Sequence, residues 1–471
     1  MPSKKWLYIL LSSLAYIALS GYFIYQEQYL FMLLPLLLVI ALIAITSLKT
    51  SFWIALFFTP LSVGLIEFFP SLPVDLDLPA EPLYMLISLL FIWQLLQQKY
   101  PLHDLLKHPL TKLLGVLLLW QLLTSITSTM PGVSFKALAA RLWMVIPAFI
   151  FGYLLFSSYK RTKTFFWLYI LGLTVVILYT NIRLANYGLS NQQASNWVVE
   201  PFFPDHTSYG AMLVFFFFPL VALVKHAVNP IEKVGGTFLI GVFLFAIVLS
   251  YTRAAWLSMA AALGVFIIFY LRISSKVLLA MAVSLLLILL ISLPSLKNTL
   301  EDNRAESSGN LMEHVQSMAN ITSDASNLER INRWKSAWRM FCEKPIAGWG
   351  PGTYMFQYAP FQFSYDRTRI STNFGDLGNA HSEYLGPLAE QGLPGFIIRV
   401  LWVVFTFYFS VRSYRTMPSG KEKDLLLALI LSLSSYYLHG ILNNFLDTIK
   451  ASIPVFAATA MIIRYSQYSF K

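Results

Sequence analysis

The residues of this chain best suited to chemistry lie in its second half. The stretch GNAHSEYLGPLAEQGLPG, residues 378–395, sets His381, Glu383 and Glu390 at the edge of an apolar run. An imidazole exchanges protons near neutral pH without any perturbation. Its place at the rim of a span, beside a segment rich in Arg and Trp, makes His381 a candidate for function; a structural histidine is the alternative. Asn379 is expected to cap a short helix ending at Gly392, with Pro394 opening the next span. On that helix His381, Tyr384, Leu385 and Leu388 share one face, and Glu383 and Glu390 another.

Upstream, SNLERINRWKSAWRMFCEKPIAGWGPG (326–352) opens with Ser326 followed by Glu329, the spacing of a capping box. The helix is expected to run to about Glu343 and to stop at Pro345 and the glycines. Arg330, Trp334, Ala337, Trp338 and Phe341 then share one stripe. Lys335 and Arg339 face water, with Arg333 on the border. A cation in the first turns opposes the helix dipole, so helix stability does not account for Arg330. A bound anion would account for it, as would a pairing with Glu329. Arg253, in SYTRAAW (250–256), is a second unusual cation at the mouth of two spans. A charge near lipid points to function, with snorkelling as the alternative.

These residues sit in a chain of 471 residues that is 57% hydrophobic and 12% charged, with a mean hydropathy of +0.63. A soluble domain carries about 25% charged residues. Apolar runs near the length of a bilayer-crossing helix recur from end to end, without the alternation of a membrane barrel. The expected fold is all-α: a polytopic transmembrane helical bundle of about fourteen spans. Their centres fall near residues 15, 38, 60, 89, 120, 148, 172, 215, 242, 263, 285, 402, 432 and 458. The division expected is a bundle over 1–293 (about eleven spans), a large partly helical loop over 294–392, and about three spans over 393–471. One set of connections is basic, from Lys4 and Lys5 through Lys160, Arg161 and Lys163 to Arg464. The opposite set includes residues 26–28 and the Lys- and Arg-free stretch 70–81. This alternation puts both termini in the cytoplasm and the long loop outside. It also accounts for the net charge of +11 without nucleic acid. Cys342 is the single cysteine, which excludes an intrachain disulfide. The outer segments show no metal-ligand spacing, and no cofactor is expected.

SYTRAAW, RINRWKSAWRMFCEKPIAGWGPGTY and AHSEYLGPLAEQGLPGF occur in that order, the last two in one outer loop. Over residues 240–410 the chain resembles the O-antigen ligase and O-antigen polymerase superfamily of bacterial membrane glycosyltransferases. The resemblance implies a GT-C-like enzyme of the bacterial cytoplasmic (inner) membrane, working on its periplasmic face. It implies an undecaprenyl-diphosphate-linked glycan as donor, with lipid A-core as acceptor in a ligase or a further glycan repeat in a polymerase. By motif, His381 matches the loop histidine that would serve as base. Arg253 and Arg330 match the arginines that would hold the diphosphate, and Glu390 matches an acid without an assigned role. Forked guanidinium donors suit a diphosphate leaving group, and an imidazole suits a sugar hydroxyl that must lose its proton. Direct displacement would invert the anomeric centre.

Weaker candidates are Arg333, Arg141 as a third anion contact or a belt residue, and Asp205 and His206 in PFFPDHTSYG, where Asp205 also reads as a helix N-cap. His439, with Asn443 and Asn444, could line an acceptor path. The aromatic stretch YMFQYAPFQFSY (354–365) suits sugar rings or loop packing. A protein O-oligosaccharyltransferase shares this chemistry. A flippase or transporter is the rival of a different class, but its ionisable groups would sit near the membrane midplane. Oligomeric state is not legible.

Overall fold

The computed structural model describes residues 4–25, 46–68, 76–273, 277, 325–368, 371–372 and 378–468. The spans expected near 38 and 285, residues 26–28 and the stretch 294–324 of the long loop lie outside the described residues. The longer helices in chain order are α1 (Lys4–Tyr25), α2 (Leu48–Phe58), α3 (Ala80–Leu96) and α4 (Pro109–Ile126). Next come α5 (Pro131–Leu155), α6 (Tyr159–Tyr187), α7 (His206–Lys225), α8 (Pro230–Leu249) and α9 (Arg253–Tyr270). The last are α10 (Ala325–Glu343), α11 (Leu385–Thr416), α12 (Lys421–His439) and α13 (Ile449–Tyr468). The sheet content described is one two-stranded antiparallel ribbon, Val63–Gly64 against Asp77–Leu78. The protein is an all-α polytopic membrane protein.

Seven of the described helices are long and apolar enough to cross a membrane: α4 to α9 and α11. Among the others, α2 and α3 are shorter apolar helices. The segment expected near 60 is one of these. It forms α2, whose 11 residues reach only about 16 Å at 1.5 Å per residue, against a hydrocarbon core of about 30 Å.

Burial separates two kinds of spanning helix. In α7, 89% of the most apolar stretch is buried, whereas α8 and α9 bury 22% and 17% of theirs. Phe238, Val248 and Leu257 are exposed on α8 and α9, as a lipid-facing surface requires. The buried centre is built on α7, α12 and α13. Ser432 Oγ of α12 donates to Phe215 O of α7 at 2.6 Å, which sets the register of the two antiparallel helices. Tyr169 of α6 stacks on Phe216 at 4.0 Å.

Helix direction then decides which residues meet. α7 and α9 begin, and α12 ends, at the same end of the bundle, so His206, Arg253 and His439 are brought to one level. At the opposite end Lys225 pairs with Asp424 at 2.6 Å and Lys163 with Glu232 at 2.6 Å. α10 and the start of α11 pack together over the first of these two ends.

Candidate active site

The loop helix α10 buries a polar stripe. Glu329, Asn332, Arg333, Ser336, Ala337 and Met340 are all buried, at i, i+3 and i+4 spacing, while Trp338 is exposed. This corrects the expected aromatic stripe through Arg330 and Trp338. Polar groups can be taken inward here because most of their atoms find a partner, Asn332 Oδ1 and Arg333 Nη1 excepted among the described residues. Arg333 Nε donates to Glu329 Oε1 at 2.7 Å, and its guanidinium lies 4.2 Å from the Tyr358 ring centre. Arg333 Nη2 reaches Thr372 at 3.2 Å. Arg333 is thus a core residue of the loop and not a border one.

Burial alone would raise the Glu329 carboxyl. The hydrogen bonds from Ser371, Arg333 and Thr368, with the Arg333 charge, outweigh it and hold the group below the usual carboxylate range. These bonds also remove Glu329 from the expected capping box. The helix already starts at Ala325, which leaves Ser326 inside its first turn. Lys335 and Arg339 are likewise not simply solvated. Both clamp Asp366, Lys335 at 2.6 Å, and Arg339 lies over Phe363. Tyr354 and Tyr358 stack on each other beneath Arg333, so much of the 354–365 aromatic stretch is used in packing the loop. Tyr365 is exposed, and with Trp334, Trp338 and Leu385 it lines an open groove of about 490 Å³.

His381 precedes α11 and does not sit on it. Its φ of +45° lies in the left-handed region, which costs a non-glycine residue about 1–3 kcal/mol. The surroundings impose it. Asn379 Oδ1 accepts from His381 N at 2.9 Å, and Trp334 Nε1 of α10 donates to His381 O at 3.2 Å. Ser382 Oγ, and not Asn379, receives Leu385 N at the helix start. The expected face shared by His381, Tyr384, Leu385 and Leu388 therefore does not form. The break at Gly392 does form: its φ of 66° and ψ of −167° interrupt α11, and the spanning part continues from there.

Glu383 also precedes the helix and turns into the protein. Its Oε1 accepts from Tyr436 OH at 2.9 Å, Phe445 N at 2.7 Å and Leu446 N at 2.8 Å, and its own N–H donates to Gly440 O at 2.8 Å. Burial pushes its carboxyl above the usual range, against the Arg399 charge and those backbone donors. The segment that carries His381 is thereby clasped to the turn between α12 and α13.

Charges converge on the imidazole. Burial first, then the positive charges of Arg330 and Arg333, push His381 down to about 4, with Asp205 and Glu329 opposing. At neutral pH the ring is uncharged and keeps a lone pair. Arg330, whose Nη1 donates to Asn327 Oδ1 at 3.1 Å, is close enough to act on His206, His381 and His439 alike.

The opposite wall comes from α7 and α9. Asp205 Oδ1 accepts from Thr207 N and Ser208 N, both at 2.7 Å, so it caps α7. His206 O accepts from Thr252 Oγ1 at 2.8 Å. That bond docks the SYTRAAW turn onto the start of α7 and places Arg253, the first residue of α9, at the same end.

Glu390 and Arg141 each bond to backbone groups of neighbouring segments. Glu390 is half-buried, its Oε1 accepts from Tyr354 N at 3.0 Å, and its carbonyl accepts from Gly350 N at 2.8 Å. The GWGPG segment is laced to α11 in this way. Gly348, with φ of +68°, passes so close that a Cβ would meet the Glu390 carbonyl carbon at 2.3 Å. Gly350, with φ of +111°, leaves as little room beside Ser128. Arg141 Nη1 donates to Leu446 O at 2.7 Å and its Nη2 to Asp447 Oδ1 at 2.8 Å, bracing the same turn that Glu383 holds.

Sequence reasoning passed over Glu329, Glu383 and Arg399 as site-building residues. Glu329 and Arg333 had a signal in their i, i+4 spacing. Arg399, buried in α11, had one as a cation inside an apolar run. Glu383 stood out as a carboxylate at the edge of an apolar run, but its partners lie more than fifty positions away and nothing local pointed to them. Among the described residues no group of three or more His, Cys, Asp or Glu is placed to hold a metal ion.

Residues 238–400 match a family model described as O-Antigen ligase. The match spans α8, α9, α10 and the first half of α11, and so includes Arg253, Arg330, Arg333, His381 and Glu390. It supports the resemblance to the O-antigen ligase and polymerase superfamily. A protein of Haemophilus influenzae described only as an uncharacterized protein is 23% identical over 217 residues, 46% of this chain. The chain spans about half the length of that curated relative, 52% of it.

Proposed function

We propose, from the O-antigen ligase match and the convergence of Arg330 and His381, that this protein is a membrane glycosyltransferase of O-antigen ligase type. The glycan arrives on undecaprenyl diphosphate, and the acceptor is a hydroxyl of lipid A-core. The site faces the periplasm from the bacterial inner membrane, both termini are cytoplasmic, and the bundle is GT-C-like.

Arg330 and Arg253 hold the diphosphate. Guanidinium forks bind such oxygens with charge-assisted hydrogen bonds, and they stabilise the charge that grows as the group leaves. The uncharged His381 ring nitrogen accepts the proton of the acceptor hydroxyl. As the new bond from that oxygen to the anomeric carbon forms, the bond from the anomeric carbon to the phosphate oxygen breaks. The pair of electrons leaves on undecaprenyl diphosphate, and attack from the opposite side inverts the anomeric centre.

One consequence concerns pH. Burial lowers His381 most; of the charges that add to it, Arg330 is also assigned to the diphosphate, so donor binding offsets that charge and raises the basicity of the ring when a base is needed.

The observation that supports this reading best is the placement of His381, pinned through its backbone to Trp334 of α10, one turn from Arg330. Deletion of the gene followed by electrophoresis of surface polysaccharide tests it. Loss of every long chain from lipid A-core, with polymer accumulating on the carrier lipid, is the expected result. Attachment of single repeats would identify a polymerase instead. Unchanged glycans would reject both.

A further inference from the structure

Where α12 ends, the protein buries polar atoms that it does not itself satisfy. His439 is 1% exposed and Asn443 3% exposed. Among the described residues neither ring nitrogen of His439 and not the amide nitrogen of Asn443 has a hydrogen-bond partner, nor have Asn444 Oδ1 and His206 Nδ1. Folded proteins rarely leave such atoms unmatched, because each loses its water on burial and gains nothing in return. A group of them in one place is suited to a polar guest.

The frame around these atoms is firm. Glu383 receives Phe445 N and Leu446 N, Arg141 donates to Leu446 O, and Leu442 N donates to His439 O at 3.0 Å. The Phe445 ring lies edge-on to His439 at 5.4 Å. A turn held at this many points does not swing to find internal partners. The place is also adjacent to the proposed chemistry. The α7–α12 register puts His206 and His439 at the end occupied by Arg330 and His381, and the Arg330 charge reaches both rings.

The composition of the group identifies its guest. An amide nitrogen gives two donors, an amide oxygen accepts, the neutral His439 imidazole gives one donor and one acceptor, and His206, hydrogen-bonded to the Asn196 backbone, offers its Nδ1. None is a fixed cation, whereas a phosphate would call for guanidinium or ammonium. A hydroxyl both donates and accepts, and neighbouring hydroxyls on a ring can engage an imidazole and an amide together.

We propose that His439 and Asn443, with His206 and Asn444 beside them, form a subsite that binds the ring hydroxyls of a sugar next to the Arg330–His381 centre. This rests on the proposed transfer function and adds to it a place where the sugar itself is recognised. The same hydroxyl chemistry is offered by the donor glycan and by the acceptor saccharide.

Steady-state transfer by the full chain in nanodiscs separates these sources. The probes are polyprenyl-diphosphate glycan and lipid A-core extracted from the host, with inorganic pyrophosphate as inhibitor. His439→Ala and Asn443→Ala are each expected to raise KM for one sugar substrate by about tenfold or more, leaving inhibition by pyrophosphate within about twofold. The substrate whose KM moves identifies the source. Unchanged KM values for both substrates overturn the proposal. Pyrophosphate inhibition weakened in step with KM makes the site an anion site and overturns it too. His439→Gln and Asn443→Asp carry the same comparison if the alanine variants do not accumulate. Transfer by the wild type with no KM change removes only the subsite. No transfer by the wild type removes the function and the subsite together.

Discussion

The centre of the bundle and the loop above it are stabilised by different physics. Around α7 the buried atoms are apolar from Tyr209 to Val224 with few interruptions, and the contacts are rings and aliphatic chains. Under α10 Glu329, Asn332, Arg333 and Ser336 are buried beside Ala337 and Met340, and hydrogen bonds and an ion pair join the apolar contacts. Apolar packing is non-directional. It fixes how far apart helices lie but tolerates exchanges of similar volume. A polar frame is directional, and one missing partner leaves another group buried and unmatched. The catalytic proposal places the tolerant half in lipid and the intolerant half around His381.

The largest expected effect is on chemistry in the polar half. His381→Ala should lower kcat by about 10² to 10⁴, the usual share of a general base, while the protein still inserts and accumulates. Transfer at the wild-type rate would reject the base assignment. Arg330→Ala should cost about 10² to 10³ if its charge meets the leaving group.

Next in size is the buried ion pair. Arg333→Ala should destabilise the loop by about 3–5 kcal/mol, because it strands Glu329, and should be seen as rapid proteolysis near α10 with the bundle fragments intact. Replacing both residues by Leu and Met should restore most of the protease resistance. A double variant as labile as the single one would show that the pair is not what holds the loop.

Glu383 tests whether the frame positions the histidine. Glu383→Ala should lower kcat by about tenfold or more with little change in KM, since it removes the acceptor for Tyr436 OH, Phe445 N and Leu446 N. Glu383→Gln keeps an oxygen at that place and should recover most of the rate. Equal loss in both variants would assign the carboxylate charge itself a role.

Acid should act on the loop before the bundle. Glu329 and Asp366 are held below their ordinary values, and His381 is lowered to about 4. A depressed pKa contributes stability that is present above the unfolded value and is lost as pH falls through the folded one. For the two carboxylates that window lies below the unfolded values of about 4; for His381 it runs from about 6.5 down to about 4. Limited proteolysis across this range should open residues near α10 first. The acid limb of kcat should also lie above that of kcat/KM, because donor binding raises the basicity of His381. Coincident limbs would break the link between diphosphate and base.

The smallest effect belongs to the apolar half. Phe216→Leu removes the stacked partner of Tyr169 and should cost about 1 kcal/mol of thermal stability, leaving kcat untouched. A large fall in kcat would mean that the bundle core is not the tolerant region described above.

Sequence patterns exposed some of this and hid the rest for a physical reason. The run lengths, the start of α7 after Asp205 and the break of α11 at Gly392 depend on neighbours within a few positions, and they were legible. Arg330 and His381 stood out because a cation or an imidazole is unusual where it stood. The burial of Arg333, the engagement of Glu383 and the bracing role of Arg141 depend on partners far along the chain. A helical wheel cannot say which of two adjacent stripes turns inward when both carry charge and aromatic groups. In α10 the outcome was set by Thr368, Ser371, Thr372 and Tyr358, which the wheel does not contain.

Taken alone, the sequence determined that this chain is a helical membrane protein and which of its residues are out of place in one, because lipid tolerates only helices with satisfied backbones and penalises every stray charge. Only the tertiary structure decided which of those charges meet. The register of α7 on α12, set by packing between segments two hundred residues apart, brings His206 and His439 to the level of Arg330 and His381, and no local rule encodes a distance of that kind.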